Sequence, residues 1–143
     1  MIGIDLGTTN SVIAYWQDNA PHVIPDSGGR RLTPSVVSVD DDGSILVGEA
    51  ARHRLPTHPE KTVAAFKRRM GTTSTVQLAP GTVFRAEELS ALVLKKLIGD
   101  ASSHLGRTID RCVVSVPAYF NDTQRKATCD AAKLAGIDAL LIN

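Results

Sequence analysis

The order of apolar and polar positions predicts that the chain opens with strands. Residues 2–6 are mostly apolar, a polar turn follows, and residues 11–16 form a second apolar run, a pattern typical of a β-hairpin. Residues 21–25 are flanked by prolines, which confines them to an edge strand or a strand end. A second hairpin is predicted from the β-branched run at residues 35–39 and from residues 45–48, because an Asp-rich turn with a glycine joins them.

Helical periodicity appears later in the chain. Residues 86–105 are predicted to form the longest helix, with Glu87 and Glu88 in its first turn, where the helix dipole favours anions. The apolar positions that recur at helical spacing there are Leu89, Leu92, Val93, Leu97 and Ile98. Shorter helices are predicted at residues 49–54, at residues 63–70 and at residues 123–134.

The order of these elements predicts an α/β fold. Apolar runs at residues 111–116 and 138–142 add two strands around the last helix. The opening strands are expected to be antiparallel and the later ones parallel, because helices connect the later ones. The core is predicted to comprise about residues 1–34 and 86–143, with a small inserted subdomain at about residues 35–85.

Composition limits the classes of function. The 143 residues carry 16 Lys and Arg against 15 Asp and Glu, a net charge of +1, so no overall field would attract nucleic acid or a membrane surface. No apolar run has the length of a membrane span and no secretory leader is evident, so the chain is interpreted as cytoplasmic. Cys112 and Cys129 are therefore expected to be free thiols.

The turn of the first hairpin carries candidate chemistry. Gly7 can adopt positive φ and lets a ligand approach the main chain, and Thr8, Thr9 and Asn10 add hydroxyls, an amide and successive N–H groups. Asp5 lies just before them, where phosphate would repel a carboxylate unless hydrated Mg²⁺ lay between the two. Residues 7–10 are therefore predicted to bind phosphate and are called the phosphate turn below. The alternative is an ordinary surface hairpin.

Three segments in sequence order resemble the nucleotide-binding domain of the DnaK-type (heat-shock seventy) chaperones. They are residues 2–11 (IGIDLGTTNS), 66–71 (FKRRMG) and 116–128 (VPAYFNDTQRKAT). The first segment is shared with sugar kinases and other actin-like ATPases, whereas the third is more specific. The resemblance implies an RNase H-like, actin-like fold with a mixed five-stranded sheet.

The resemblance also implies ATP or ADP with Mg²⁺ as cofactors. Gly7, Thr8, Thr9 and Asn10 match the family's first phosphate loop, and Asp5 matches the aspartate that holds Mg²⁺ through water. Lys67 matches the lysine that positions the attacking water at the γ-phosphate, so Asp5 and Lys67 are the catalytic candidates. Without the resemblance, Lys67 would be interpreted as a solvated lysine in a basic run.

Pro117 and Arg125 match the pair that reports the nucleotide state to the peptide-binding domain. A proline directly after a strand restricts the residue before it and can hold a loop in one of two conformations. The alternative is that Pro117 only ends a strand and that Arg125 lies on an exposed helix face.

The resemblance implies unfolded polypeptides as clients, bound by a domain outside these residues. The segment between Gly71 and Glu87 is short, as in the HscC-like branch, which argues against ordinary nucleotide-exchange-factor contacts. A J-domain co-chaperone remains a candidate partner, although the last strand lacks the family's basic residue. The chain is expected to be lobe I of the ATPase domain without lobe II, and largely inactive alone. Two rival functions are a sugar kinase of the same superfamily and an actin-like filament or scaffold module.

Overall fold

A computed structural model describes all 143 residues, and its main sheet combines antiparallel and parallel strands. The strands are β1 (Ile2–Asp5), β2 (Asn10–Gln17), β3 (Ala20–Val23), β4 (Thr33–Pro34), β5 (Val36–Val39), β6 (Ile45–Val47), β7 (Thr62–Ala64), β8 (Thr75–Ala79), β9 (Thr82–Arg85), β10 (Arg111–Ser115) and β11 (Asp138–Ile142). The helices are α1 (Glu49–Arg52), α2 (Ala86–Leu105) and α3 (Asp122–Leu134), with 3-10 helices at Pro59–Lys61 and Phe66–Arg69.

The main sheet has the strand order β11-β10-β1-β2-β3. The β1–β2 and β2–β3 pairs are antiparallel, and the β1–β10 and β10–β11 pairs are parallel, which confirms the predicted mixed sheet. A sixth strand, β4, was not predicted and pairs with Asn10 and Ser11. It can do so because β3 pairs with β2 only from Ala14 onward, which leaves the start of β2 open.

Residues 36–85 form two further sheets. Strands β6-β5-β7 make a three-stranded sheet that includes the predicted second hairpin, and β8 and β9 make a separate hairpin. Gly81 lies in the turn between β8 and β9 at a φ of 73°. Val37 and Leu78 from this region belong to the same buried cluster as the main sheet, so one core spans the chain.

The helix predicted at residues 63–70 is wrong. Thr62–Ala64 is the strand β7, which pairs with β5, and Phe66–Arg69 is a 3-10 helix. Ala65 lies between them in the left-handed region at a φ of 56°, which no α-helix accommodates. The β-branched pair of Thr62 and Val63 favours a strand, and the free edge of β5 offers it hydrogen bonds.

Helices α2 and α3 pack against each other beside the main sheet and agree with their predicted ranges. The Glu88 carboxylate accepts the Arg85 N–H at 2.9 Å at the start of α2, and the Asn121 side chain accepts the Gln124 N–H at 2.9 Å at the start of α3. These capping contacts satisfy N–H groups that have no partner inside a helix. None of the helices has the length and apolarity that crossing a bilayer requires.

The two cysteines are free, as predicted. Cys112 is buried in β10, and this burial raises the pKa of its thiol to about 11, with the negative charge of Asp138 adding to the effect. The thiol is therefore protonated near neutral pH and unreactive.

Candidate functional site

The site lies where two parallel strands end at the same edge of the main sheet. Asp5 is the last residue of β1, and it is aligned with Ser115, the last residue of β10. The Ser115 hydroxyl donates a hydrogen bond to Asp5 Oδ1 at 3.1 Å, and Asp5 remains exposed. Ligand sites in sheets of this kind lie beyond the carboxyl ends of the strands. Asp5 is therefore held at that edge with its carboxylate open to solvent.

The phosphate turn depends on Gly7, although not for the predicted reason. Gly7 is not among the glycines with positive φ. Instead, a Cβ added to Gly7 would lie 2.0 Å from the carbonyl oxygen of Asn10, closer than atoms can pack. The turn folds back on itself at this point, so a side chain at residue 7 would force it open.

Two buried serines hold the phosphate turn from behind. The Ser35 hydroxyl donates to the Gly7 carbonyl at 2.8 Å and lies 2.8 Å from the Ser11 hydroxyl. The Ser35 N–H donates to the Thr9 carbonyl at 2.9 Å. Sequence analysis missed this role because Ser35 lies 28 residues after Gly7, and no local pattern links them.

Lys67 reaches the phosphate turn from the 3-10 helix at Phe66–Arg69. Its Nζ donates a hydrogen bond to the Leu6 carbonyl at 2.5 Å and lies 5.6 Å from the centre of the Phe120 ring. Arg68 and Arg69 are exposed, whereas Lys67 is half-buried, so it is not a solvated lysine. Burial lowers the pKa of Lys67, and the negative charge of Asp5 partly opposes this effect.

Pro117 and Arg125 meet at a loop beside Lys67. The Phe120 N–H donates to the Pro117 carbonyl at 3.0 Å, which closes a turn after β10. Arg125, on α3, donates from Nε to the Phe120 carbonyl at 3.2 Å and from Nη2 to Asn143 Oδ1 at 2.7 Å. The structure thus brings the two residues to one loop, whose Phe120 ring contacts Lys67.

A family model described as "Hsp70 protein" matches the chain over residues 1–80 and 73–143. The chain belongs to the Hsp70 family. Membership of the Hsp70 family implies the actin-like ATPase fold and agrees with the mixed sheet described above. It makes the chain a chaperone-type nucleotide-binding unit of a family that uses ATP or ADP with Mg²⁺.

The donors at the site fit the polyphosphate of the Hsp70 nucleotide. Gly7 and Thr8 are half-buried in the compact turn, and Thr9 and Asn10 are exposed beside them. No group of three or more His, Cys, Asp or Glu side chains could hold a metal by itself. Mg²⁺ usually keeps several waters and binds one or two carboxylates together with phosphate oxygens. Asp5 therefore fits a Mg²⁺ held through water.

A cleft of about 620 Å³ opens beside the phosphate turn and adds basic residues that sequence analysis missed. Arg30, Arg31 and Arg52 line it together with residues 8–10, and Glu49 is the one acidic residue in the lining. Glu49 forms an ion pair with Arg52. Two adjacent arginines such as Arg30 and Arg31 are not by themselves a sequence pattern of a site. The excess of guanidinium groups would favour an anionic ligand in this Hsp70 cleft.

Proposed function

We propose that the chain is lobe I of the ATPase domain of a DnaK-type chaperone of the HscC-like branch. In the complete protein, ATP hydrolysis would be coupled to the binding and release of unfolded polypeptide. The observation that carries the proposal is the hydrogen bond from Lys67 to the Leu6 carbonyl, because it places a cation at the phosphate turn beside Asp5.

Each residue has a defined task in this proposal. Residues 7–10 would hold the phosphate tail with main-chain N–H groups, hydroxyls and the Asn10 amide, and Asp5 would hold Mg²⁺ through water. Bound ATP and Mg²⁺ supply the phosphoanhydride bond to be cleaved and neutralise its charge. Lys67 would position the attacking water: one of its three N–H bonds is used on Leu6, so two remain.

Pro117 and Arg125 would serve as the allosteric switch of the proposed chaperone. Arg125 donates a hydrogen bond to the Phe120 carbonyl, and the Phe120 ring contacts Lys67. A movement of Lys67 at the phosphate turn would therefore move the loop between β10 and α3. By the same contacts, a movement of that loop would move Lys67. J-domain co-chaperones are proposed as partners, whereas ordinary nucleotide-exchange-factor contacts are not.

A titration of the chain with ATP and Mg²⁺, followed by NMR of backbone amides, tests nucleotide binding. We expect weak binding that moves the amide signals of residues 7–10, and negligible hydrolysis, since lobe I would supply only half of the phosphate clamp. D5N and K67M should weaken binding. R68M is the matched control, because Arg68 is exposed on the same 3-10 helix. Shifts confined to other residues would contradict the proposal.

A second experiment separates the chaperone from the two rival functions. In the complete protein, stimulation of ATP consumption by an unfolded peptide would support the chaperone. Stimulation by a polyol would support a sugar kinase, and a sedimenting polymer that depends on nucleotide would support a filament module.

A further inference from the structure

Glu87 carries the one buried side-chain oxygen or nitrogen in the chain that has no hydrogen-bond partner. Its Oε2 accepts no hydrogen bond, and the residue is only 8% exposed. Arg85 Nε lies 3.6 Å from Oε2, outside hydrogen-bond distance, on a side chain that is half exposed. Burying a carboxylate oxygen that accepts no hydrogen bond costs free energy of folding, and the ion pair with half-exposed Arg85 offsets only part of it. The hydrogen bond of Glu87 that the structure does show, from the Gly71 N–H, therefore bears on the role of this buried carboxylate.

The other oxygen of Glu87 holds the end of the Lys67 segment. Glu87 Oε1 accepts the N–H of Gly71 at 3.2 Å. The 3-10 helix that carries Lys67 ends at Arg69, and the buried Met70 and then Gly71 follow it. Met70 is also held by α2, because the Ser90 hydroxyl lies 3.4 Å from its sulfur. The first turns of α2 therefore fix this segment at two adjacent residues.

Gly71 also faces the start of α3. A Cβ at Gly71 would lie 3.1 Å from Thr123 Cγ2 and 3.3 Å from the Gln124 nitrogen. Gln124 in turn accepts the Asn121 N–H at 2.9 Å, directly after Phe120. The chain around Gly71 thus lies between α2 and α3 and leads back to Lys67.

We propose that Glu87 is a positioning residue for Lys67. By accepting the Gly71 N–H, it holds the 3-10 helix at the depth at which Lys67 reaches the Leu6 carbonyl. The start of α3 packs on Gly71 as well, so it acts on Lys67 through the position of Gly71. The inference rests on the proposed function only where it assumes that Lys67 takes part in ATP hydrolysis.

The positioning can be measured on the chain without nucleotide. The readouts are hydrogen exchange of the Gly71 amide and the ¹³C shift of the Leu6 carbonyl, with K67M defining the carbonyl shift when its hydrogen bond is lost. In E87A we expect Gly71 exchange to rise about tenfold, because one hydrogen bond is removed. The Leu6 carbonyl shift should move toward its K67M value.

Two further variants keep the test decisive. E87Q retains an acceptor of the same shape but loses the charge that strengthens the bond, so both readouts should shift from their native values in the direction of E87A. Where E87A does not fold, the Leu6 carbonyl shift of E87Q is compared with its native and K67M values. E88Q is the matched control, because Glu88 accepts from Arg85 and not from Gly71, and it should match the native chain. A Leu6 carbonyl that stays native in E87A and E87Q would overturn the inference.

Kinetics of the complete protein separate this inference from the proposed function. E87A should lower kcat for ATP by about tenfold and raise KM by less, because it displaces Lys67 from its position at the phosphate turn without removing its charge. If the Leu6 carbonyl responds to E87A but the complete protein does not hydrolyse ATP, the positioning stands and the proposed function fails. If hydrolysis occurs and the carbonyl does not respond, only the positioning fails.

Discussion

The Lys67 ammonium donates a hydrogen bond to the Leu6 carbonyl, 61 residues earlier in the chain. The contact joins the 3-10 helix at Phe66–Arg69 to the end of β1, directly before the phosphate turn. It also places the half-buried Lys67 ammonium near the Asp5 carboxylate, whose negative charge partly opposes the lowering of the Lys67 pKa by burial. The predictions below concern this contact and the residues that support it.

The stability of the chain should depend on pH through Lys67. Burial lowers the pKa of Lys67, so the folded chain loses this proton at a lower pH than the unfolded chain. Between the lowered pKa and the ordinary lysine value of about 10.4, the unfolded state binds more protons, and stability rises with pH. Denaturation at several pH values should therefore show native stability rising relative to K67M.

The same series of measurements contains its control. R68M retains Lys67, so its stability should follow that of the native chain. If native and K67M stabilities change in parallel over the whole interval, Lys67 is not buried as described.

Gly7→Ala should open the phosphate turn. The new Cβ would lie 2.0 Å from the Asn10 carbonyl oxygen. Steric strain of this kind typically lowers the free energy of unfolding by about 1–3 kcal/mol. Thermal or chemical denaturation should show this loss, and an ATP titration with Mg²⁺ should no longer shift the amides of the turn. Gly3→Ala, in the strand β1 that leads into the turn, is the control, because no atom lies within 4 Å of its added Cβ. Equal effects of the two variants would refute the steric explanation.

Ser35→Ala should weaken both stability and nucleotide binding. The change leaves the Gly7 carbonyl and the buried Ser11 hydroxyl without their partner, which costs about 1–3 kcal/mol. Ser38→Ala is a matched control, because Ser38 is a buried serine that bonds Thr62 and the Lys61 carbonyl. It should lose similar stability in denaturation experiments but keep the ATP-induced shifts. Loss of those shifts in both variants would indicate general unfolding.

Arg125→Ala should loosen the loop after β10. It removes the hydrogen bonds to the Phe120 carbonyl and to Asn143. NMR signals of the Phe120 ring should then shift, and in the complete protein the stimulation of ATP turnover by peptide should fall toward none. Lys126→Ala tests specificity, because exposed Lys126 pairs only with Asp130 on the next helical turn. A normal response to peptide in Arg125→Ala would contradict the proposed switch.

Several features were predictable because they depend on neighbouring residues. The first hairpin follows from alternating apolar runs around a polar turn, and α2 follows from helical spacing and its acidic first turn. The start of α3 follows from Asn121, whose side chain caps the residues after it. The mixed sheet follows from element order, because a helix between two strands requires a parallel crossover.

Tertiary contacts decided what local pattern could not. The strand β7 replaced a predicted helix because the free edge of β5 offered hydrogen bonds, and β4 formed on the open start of β2. The importance of Gly7 is its distance from the Asn10 carbonyl, which only the folded turn defines.

The sequence by itself determined which residues can form the phosphate turn and the ranges of the first hairpin, α2 and α3, because these depend on covalent geometry and nearby side chains. The surroundings of that turn were decided only by folding. Ser35 and Lys67 reach it from distant segments, and Glu87 holds the Lys67 segment from a third. Their partners are set by how the main sheet, the smaller sheets and α2 pack into one core, and no single segment records that packing.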